Sequence, residues 1–179
     1  KAMFMSVTTR TAGFNTIDLS NLSDSGTLLS LILMLIGGSP GSTAGGLKTT
    51  TIAVVVIAVF AMAKGGDDIN TFKRRIVSDV VKQSAVIILI YLFAVMLSSM
   101  IICSVEGLGM SQVLFETASA AGTVGVSKGI TNQISAISKI ILMIMMYGGR
   151  IGGLSLVLVF GQRKPEAPVK RPTEQILIG

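Results

Sequence analysis

The chain has 179 residues, of which 50% are hydrophobic and 13% charged, with a net charge of +6 and a mean hydropathy of +0.75. Those fractions lie outside the range of ordinary soluble domains and make a lipid bilayer the natural solvent. There is no histidine, and Cys103 is the one cysteine, which excludes Ser-His and Cys-His catalysis, His-containing metal sites and an internal disulfide.

In chain order, Lys1-Ala2-Met3-Phe4 has no signal-peptide pattern, and about nine residues precede a turn at Thr11-Ala12-Gly13-Phe14-Asn15. Two apolar runs follow, Gly26 to Ile36 and Thr49 to Ala63. Each is too short to span alone, because about 20 residues are needed to cross the hydrocarbon core. Between them, Gly37 to Lys48 holds Pro40 and five glycines, where helix would cost about 3 kcal/mol for the proline and about 1 for each glycine. The two runs therefore read as one interrupted crossing.

Residues 64–83 form a basic linker carrying Lys64, Lys73, Arg74, Arg75 and Lys82. Ser84 to Cys103 is a spanning helix, and Ser104 to Gly109 a turn. Ser111 is a good N-cap for a helix of about 11 residues ending at Ala121,. That helix is too short to span and too apolar for a solvent loop, so with the following Thr123-Val124-Gly125-Val126-Ser127 it reads as a re-entrant pore loop. The apolar run Ile134 to Phe160 is the last crossing, and Arg163, Lys164, Lys170, Arg171 and three prolines follow it. The other side carries mainly Arg10 and Lys128. Positive-inside asymmetry then puts 64–83 and 163–179 in the cytoplasm and argues against nucleic acid as the partner of the basic residues.

The chain repeats itself. Thr11 to Asn15 aligns with Thr123 to Ser127 at an offset of 112, and Gly37-Gly38 with Gly148-Gly149 at 111. Each copy reads as a short helix, a Thr-x-Gly turn, a polar stretch and an apolar helix broken near a Gly-Gly pair. The first copy lacks an outer helix. The expected fold is thus an all-α membrane protein of repeated helix, pore loop and helix units, like those of potassium channels.

Potassium filters replace the ion's hydration shell with closely spaced backbone carbonyls, supplied by several copies of one loop around an axis. Glycine permits the dihedrals that turn a carbonyl toward that axis, and Thr123 can add a hydroxyl. A lone Thr-Val-Gly is more often a tight turn between helices; its repetition at a fixed offset favours the filter, because irregular backbone at membrane depth is tolerated only where it lines a cavity or is buried in protein.

These motifs resemble the Trk/Ktr/HKT superfamily of potassium transporters, and within it the Ktr-type membrane subunit. The residues that carry the resemblance are Thr9-Arg10-Thr11-Ala12-Gly13-Phe14-Asn15, Gly37-Gly38-Ser39-Pro40-Gly41-Ser42-Thr43-Ala44-Gly45-Gly46-Leu47-Lys48, Gly122-Thr123-Val124-Gly125-Val126-Ser127 and Gly149-Arg150-Ile151-Gly152. The family has four such repeats in one polypeptide around a single pore. The resemblance implies about one and a half of them here: the pore loop and broken inner helix of the third repeat in 1–63, the cytoplasmic linker 64–83, the complete fourth repeat in 84–162 and a cytoplasmic tail in 163–179. It implies ion-binding filter residues Thr11, Ala12, Gly13, Phe14 and Asn15 with Thr123, Val124, Gly125, Val126 and Ser127, holding K+. It also implies a gate below them made of Gly37, Gly38, Ser39, Pro40, Gly41, Ser42, Thr43, Ala44, Gly45, Gly46 and Lys48, together with Arg150.

Arg150 is also notable without the resemblance. It lies 16 residues after Ile134 and 10 before Phe160, where a charge costs at least ~2.5–3.5 kcal/mol. Ten helical residues are about 15 Å, beyond comfortable snorkelling, so Arg150 should face water or a partner. Arg10 reads as a support behind the first filter loop, and Glu106 and Glu116 as surface carboxylates that concentrate cations. The ten methionines read as core filler,.

The expected function is a pore-forming subunit for potassium uptake at the cell's inner (plasma) membrane, not an enzyme. It needs no cofactor on this chain, with K+ as the transported ion and Na+ as a candidate coupling or activating ion. By resemblance the full-length subunit forms a homodimer on a cytoplasmic ring of nucleotide-binding regulatory subunits of the KtrA/TrkA type. Two other readings are a self-dimerising two-pore-loop cation channel and a membrane nucleotide hydrolase. The last would use Gly41 to Thr49 as a P-loop, but Leu47 stands before Lys48 where the motif needs Gly-Lys-Ser/Thr,.

Overall fold

The computed structural model describes residues 2–15, 19, 22–65, 70–71 and 74–152. The basic tail at 163–179, the end of the last apolar run and Lys73 fall outside them.

The first helix, α1 (Ala2–Thr8), is followed by the first Thr-x-Gly segment. Then α2 (Asp24–Leu35) starts on Ser23, whose hydroxyl accepts the Gly26 N–H at 3.2 Å, and Asp24 sits in its positive first turn,. The helix stops at Ile36, directly before Gly37-Gly38-Ser39-Pro40, where the helix ladder cannot continue,. Helix resumes as α3 (Thr49–Ala63). The two apolar helices and the break between them thus lie within two residues of the expected bounds.

Two short strands, β1 (Asn70–Thr71) and β2 (Arg74–Arg75), pair antiparallel in the basic linker. They and an isolated bridge between Ile36 and Leu47 are the exceptions to an all-helical fold among the described residues.

The long helix α4 (Ser78–Glu106) has 29 residues, about 43 Å at 1.5 Å per residue. It is the described helix long and apolar enough to cross a bilayer,. It begins six residues before the expected Ser84, because Asp79 and Lys82 end the apolar run without ending the helix. Leu89, Phe93, Met96 and Met100 project from it exposed, as a lipid-facing surface requires. Gly107, in the left-handed region at φ 65°, closes it by donating to the Cys103 carbonyl at 3.0 Å,.

The centre of the structure is α5 (Met110–Ala121), with eight of its 12 residues buried. It packs against α2, α4 and the last helix, α6 (Ala136–Ile151). Its N-cap is Gly109 with no side-chain bond, so Ser111 lies inside the helix and is not the expected cap. The Ser99 and Thr117 hydroxyls tie α4 to α5 at 2.6 Å in the interior. Helix α6 starts on Ser135, and Glu106 from the end of α4 accepts the Ser135 N–H at 2.9 Å and the Ser135 and Ser138 hydroxyls at 2.5 Å each. Glu106 thus supports a helix start, in place of the solvated role expected for it.

Helix α6 runs through Gly148-Gly149 and ends at Ile151, with Gly152 at φ 83°, and the rest of the last apolar run lies outside the described residues. The pair serves close packing: a Cβ on Gly149 would collide with the backbone of Ala121, whereas Gly148 has nothing within 4 Å. Gly149→Ala in the intact protein is expected to lower the thermal midpoint by about 5 °C or more while Gly148→Ala does not, because backbone cannot yield as a side chain can. A thermal-shift series on the two purified variants checks this.

Candidate functional site: two Thr-x-Gly loops over a glycine-rich loop

The first and second Thr-x-Gly loops follow the ends of α1 and α5, and their backbones match. Thr11 and Thr123 lie at φ 65° and 53°, and Gly13 and Gly125 at 75° and 87°. Among the described residues these threonines are the non-glycine residues with positive φ. A β-branched residue there is an outlier that costs about 1–3 kcal/mol and persists only where its surroundings enforce it. The left-handed Thr-x-Gly pattern occurs twice, at the offset of 112 read from the sequence.

The loops meet at their glycines. A Cβ on Gly13 would lie 2.6 Å from the Val124 carbonyl oxygen, and one on Gly125 3.8 Å from the Gly13 Cα. In the second loop, Val124 and Val126 are buried in a cluster with Met5, Leu19, Met34 and Phe115. That cluster joins both copies of the repeat. Thr123, Gly125, Val126 and Ser127 line a cavity of about 420 Å³ beside the loop, with Glu116 and Arg150 also on its wall.

The first loop is less regular. Phe14, the counterpart of Val126, is 70% exposed, and Asn15 is exposed. The Thr8 hydroxyl donates to the Phe14 carbonyl at 2.6 Å, holding it back toward α1. Ala12 is exposed, while Thr11 and Gly13 are partly covered. Arg10 is exposed, and among the described residues no hydrogen bond joins its side chain to either loop, so the expected supporting bond is not found.

Directly against the second loop lies the glycine-rich one. The Gly45 N–H donates to the Thr123 hydroxyl at 3.1 Å, and a Cβ on Gly45 would collide with the Thr123 side chain. Gly37 N–H donates to Leu47 O at 2.8 Å, Leu47 N–H to Leu35 O and Thr49 N–H to Gly38 O at 3.2 Å each, closing the loop's neck. Inside it, the Lys48 ammonium donates to the Ala44 carbonyl at 2.6 Å and the Ser42 carbonyl at 3.2 Å. Ser42 donates to the Ser39 carbonyl at 2.7 Å. Gly37, Gly45 and Gly46 are buried, Gly38 and Ala44 half-buried, and Ser39, Pro40, Gly41, Ser42 and Thr43 form the exposed tip. Gly41 and Gly46 adopt φ of 79° and 73°, which only glycine tolerates readily,. A P-loop would need a strand before it and free N–H groups facing a phosphate. Here α2 precedes the loop, and the lysine is spent on its own carbonyls.

Arg150 closes the arrangement. From α6 it donates to the Thr43 carbonyl at the tip of the glycine-rich loop. That partner is a neutral dipole, so the contact itself supplies no opposite charge, and Glu116 shares the cavity wall without a described ion pair to Arg150.

Two features of the site carried no sequence signal strong enough to find them. Thr123 bonds the glycine-rich loop through its hydroxyl, and Glu116 is buried, although a surface position was expected for it. Glu116 accepts from the Thr131 hydroxyl, and its second oxygen is buried without a partner. Its place five residues before Ala121, on a helix with little exposed face, was the available clue.

These observations define an all-α membrane protein with two like Thr-x-Gly loops, the second of them packed against a glycine-rich loop. The chain belongs to the Trk/Ktr superfamily: the cation transport protein family TrkH matches residues 1–170. The Ktr system potassium uptake protein D of Bacillus subtilis is 38% identical over 178 residues, covering 99% of this chain and 40% of that protein. The potassium/sodium uptake protein NtpJ of Enterococcus hirae is 38% identical, covering 98% of this chain and 40% of that protein. The Ktr system potassium uptake protein B of Vibrio alginolyticus is 34% identical, covering 99% and 39%. The chain spans about two fifths of the length of these relatives.

Proposed function

We propose that this chain is part of the pore of a potassium uptake transporter, supplying two of four filter strands and the gate beneath them. The observation that carries the reading is the paired left-handed Thr-x-Gly backbone at Thr11/Gly13 and Thr123/Gly125, because two copies of one strained loop meeting at their glycines is what a carbonyl filter built by repetition requires,. Residues 1–63 then act as the loop and broken inner helix of one repeat and 84–162 as a complete second one. The glycine-rich loop, held at its neck and latched by Arg150, obstructs the path below the filter.

The potassium uptake named for the Bacillus and Vibrio relatives supports K+ as the ion, and the potassium/sodium uptake of the Enterococcus relative supports Na+ as a second ion. Charge asymmetry supports a multi-pass protein of the inner (plasma) membrane with 64–83 and 163–179 cytoplasmic,. The resemblance to Ktr-type subunits implies a full-length homodimer on a cytoplasmic nucleotide-binding ring, which the basic linker would contact.

The full-length protein should restore growth and rubidium uptake to cells lacking their own potassium uptake. Uptake no higher than that of the empty vector, with the protein present in the membrane, overturns the reading.

A further inference from the structure

The segment that follows the second Thr-x-Gly loop is held from behind by side chains of α5. Thr131 donates to Glu116 and shares a 2.9 Å hydrogen bond with the Ser127 hydroxyl, which in turn accepts the Gly129 N–H at 2.9 Å. A continuous chain therefore runs from the buried carboxylate to the last residue of the loop. One position earlier on α5, the Phe115 ring lies 5.3 Å from the Lys128 ammonium, which also donates to the buried Thr27 hydroxyl of α2 at 2.8 Å. Two neighbouring residues of one helix thus hold the 127–131 segment.

The side chains at the corresponding positions of the first loop differ. At the offset of 112, Glu116 corresponds to Phe4, which is 41% exposed, and Thr131 to the buried Leu19. Among the described residues the first loop is held by the Thr8 hydroxyl on the Phe14 carbonyl and by apolar packing through Met5 and Leu19.

Glu116 is 7% exposed and takes part in no described ion pair, and its unpartnered oxygen is closed off from solvent. A carboxylate so enclosed does little to attract ions from solution, since steering depends on exposed charge. Burying one is costly unless its hydrogen bonds do structural work. We propose that Glu116 is a positioning residue for ion preference: through Thr131 it fixes Ser127, and thereby the spacing of carbonyls in the second loop. This inference rests on the transport reading above.

The test measures the ratio of rubidium to sodium uptake by the intact transporter for wild type, Glu116→Gln, Glu116→Ala, Thr131→Val and the double variant Glu116→Ala/Thr131→Val. Glutamine keeps an acceptor for Thr131 and removes the charge, so Glu116→Gln should stay within about twofold of wild type. Glu116→Ala and Thr131→Val should each lower the ratio by roughly three- to tenfold, the scale of one lost hydrogen bond. The double variant should lower it no further, because both act through one chain of bonds. Glu116→Gln behaving like Glu116→Ala would assign the effect to charge and overturn the proposal, as would a ratio unchanged in Thr131→Val. Thr131→Val keeps the shape of the side chain, so it reports even if Glu116→Ala fails to fold. Absence of uptake by wild type would instead overturn the transport reading itself.

Discussion

Arg150→Ala is expected to raise potassium flux through the intact transporter by roughly tenfold or more, without loss of folded protein. Two effects act in the same direction. The guanidinium repels a permeating cation: at about 8 Å and an effective dielectric constant of about 20 the repulsion is about 2 kcal/mol, or some 30-fold in ion occupancy. It also latches the tip of the glycine-rich loop through the Thr43 carbonyl, and that bond is lost with the side chain. Arg150 is exposed and its helix is held elsewhere, by Leu142 and Gly149 in the interior and by Glu106 at its start, so truncation should spare the fold. Arg150→Lys separates the two effects, because lysine keeps the charge and lacks the planar fork of donors. Initial rates of rubidium uptake across the three proteins check the prediction, and equal rates in wild type and Arg150→Ala would remove Arg150 from the gate.

Gly125→Ser is expected to reduce the preference for potassium over sodium by roughly tenfold. Space is not the reason, since a Cβ there would meet the Gly13 Cα at an ordinary 3.8 Å. The reason is the φ of 87°, a left-handed conformation that an L-residue adopts only at a cost of about 1–2 kcal/mol,. Serine would relax toward negative φ and swing the adjoining carbonyls away from the axis they share with the first loop. The loop already carries the strain of Thr123 at φ 53°. Competition of sodium against rubidium uptake measures the effect, and a wild-type ratio in a well-folded Gly125→Ser protein would count against the filter assignment.

The legible parts of this protein were those governed by local chemistry. Proline and glycine at 37–46 forbid helix wherever they are placed, so the break between α2 and α3 could be located within two residues,. The uninterrupted apolar stretch before Cys103 has the length and composition of a spanning helix, and α4 covers it,. The rules act more weakly at Gly148-Gly149. There no proline accompanies the pair, helix costs only about 2 kcal/mol in all, and α6 continues for two residues to Ile151. Ser111 failed as a cap because a cap is decided by where the preceding chain enters, and Gly109 admits that entry two residues earlier.

By itself the sequence determined the solvent of this protein, the order of its helices, the repetition of its Thr-x-Gly loops and the residues that line them, because hydropathy, helix breaking and self-similarity are properties of the chain alone. Only the tertiary structure decided what those residues touch. It placed Gly13 against Val124, turned the Thr123 hydroxyl to Gly45, carried Arg150 to Thr43 and buried Glu116 behind Ser127. The first three pairs lie between 78 and 111 positions apart in the chain, and Thr131 joins Glu116 to Ser127. Contacts across such separations form only when the packing of α2, α4 and α6 around α5 has brought the backbones together.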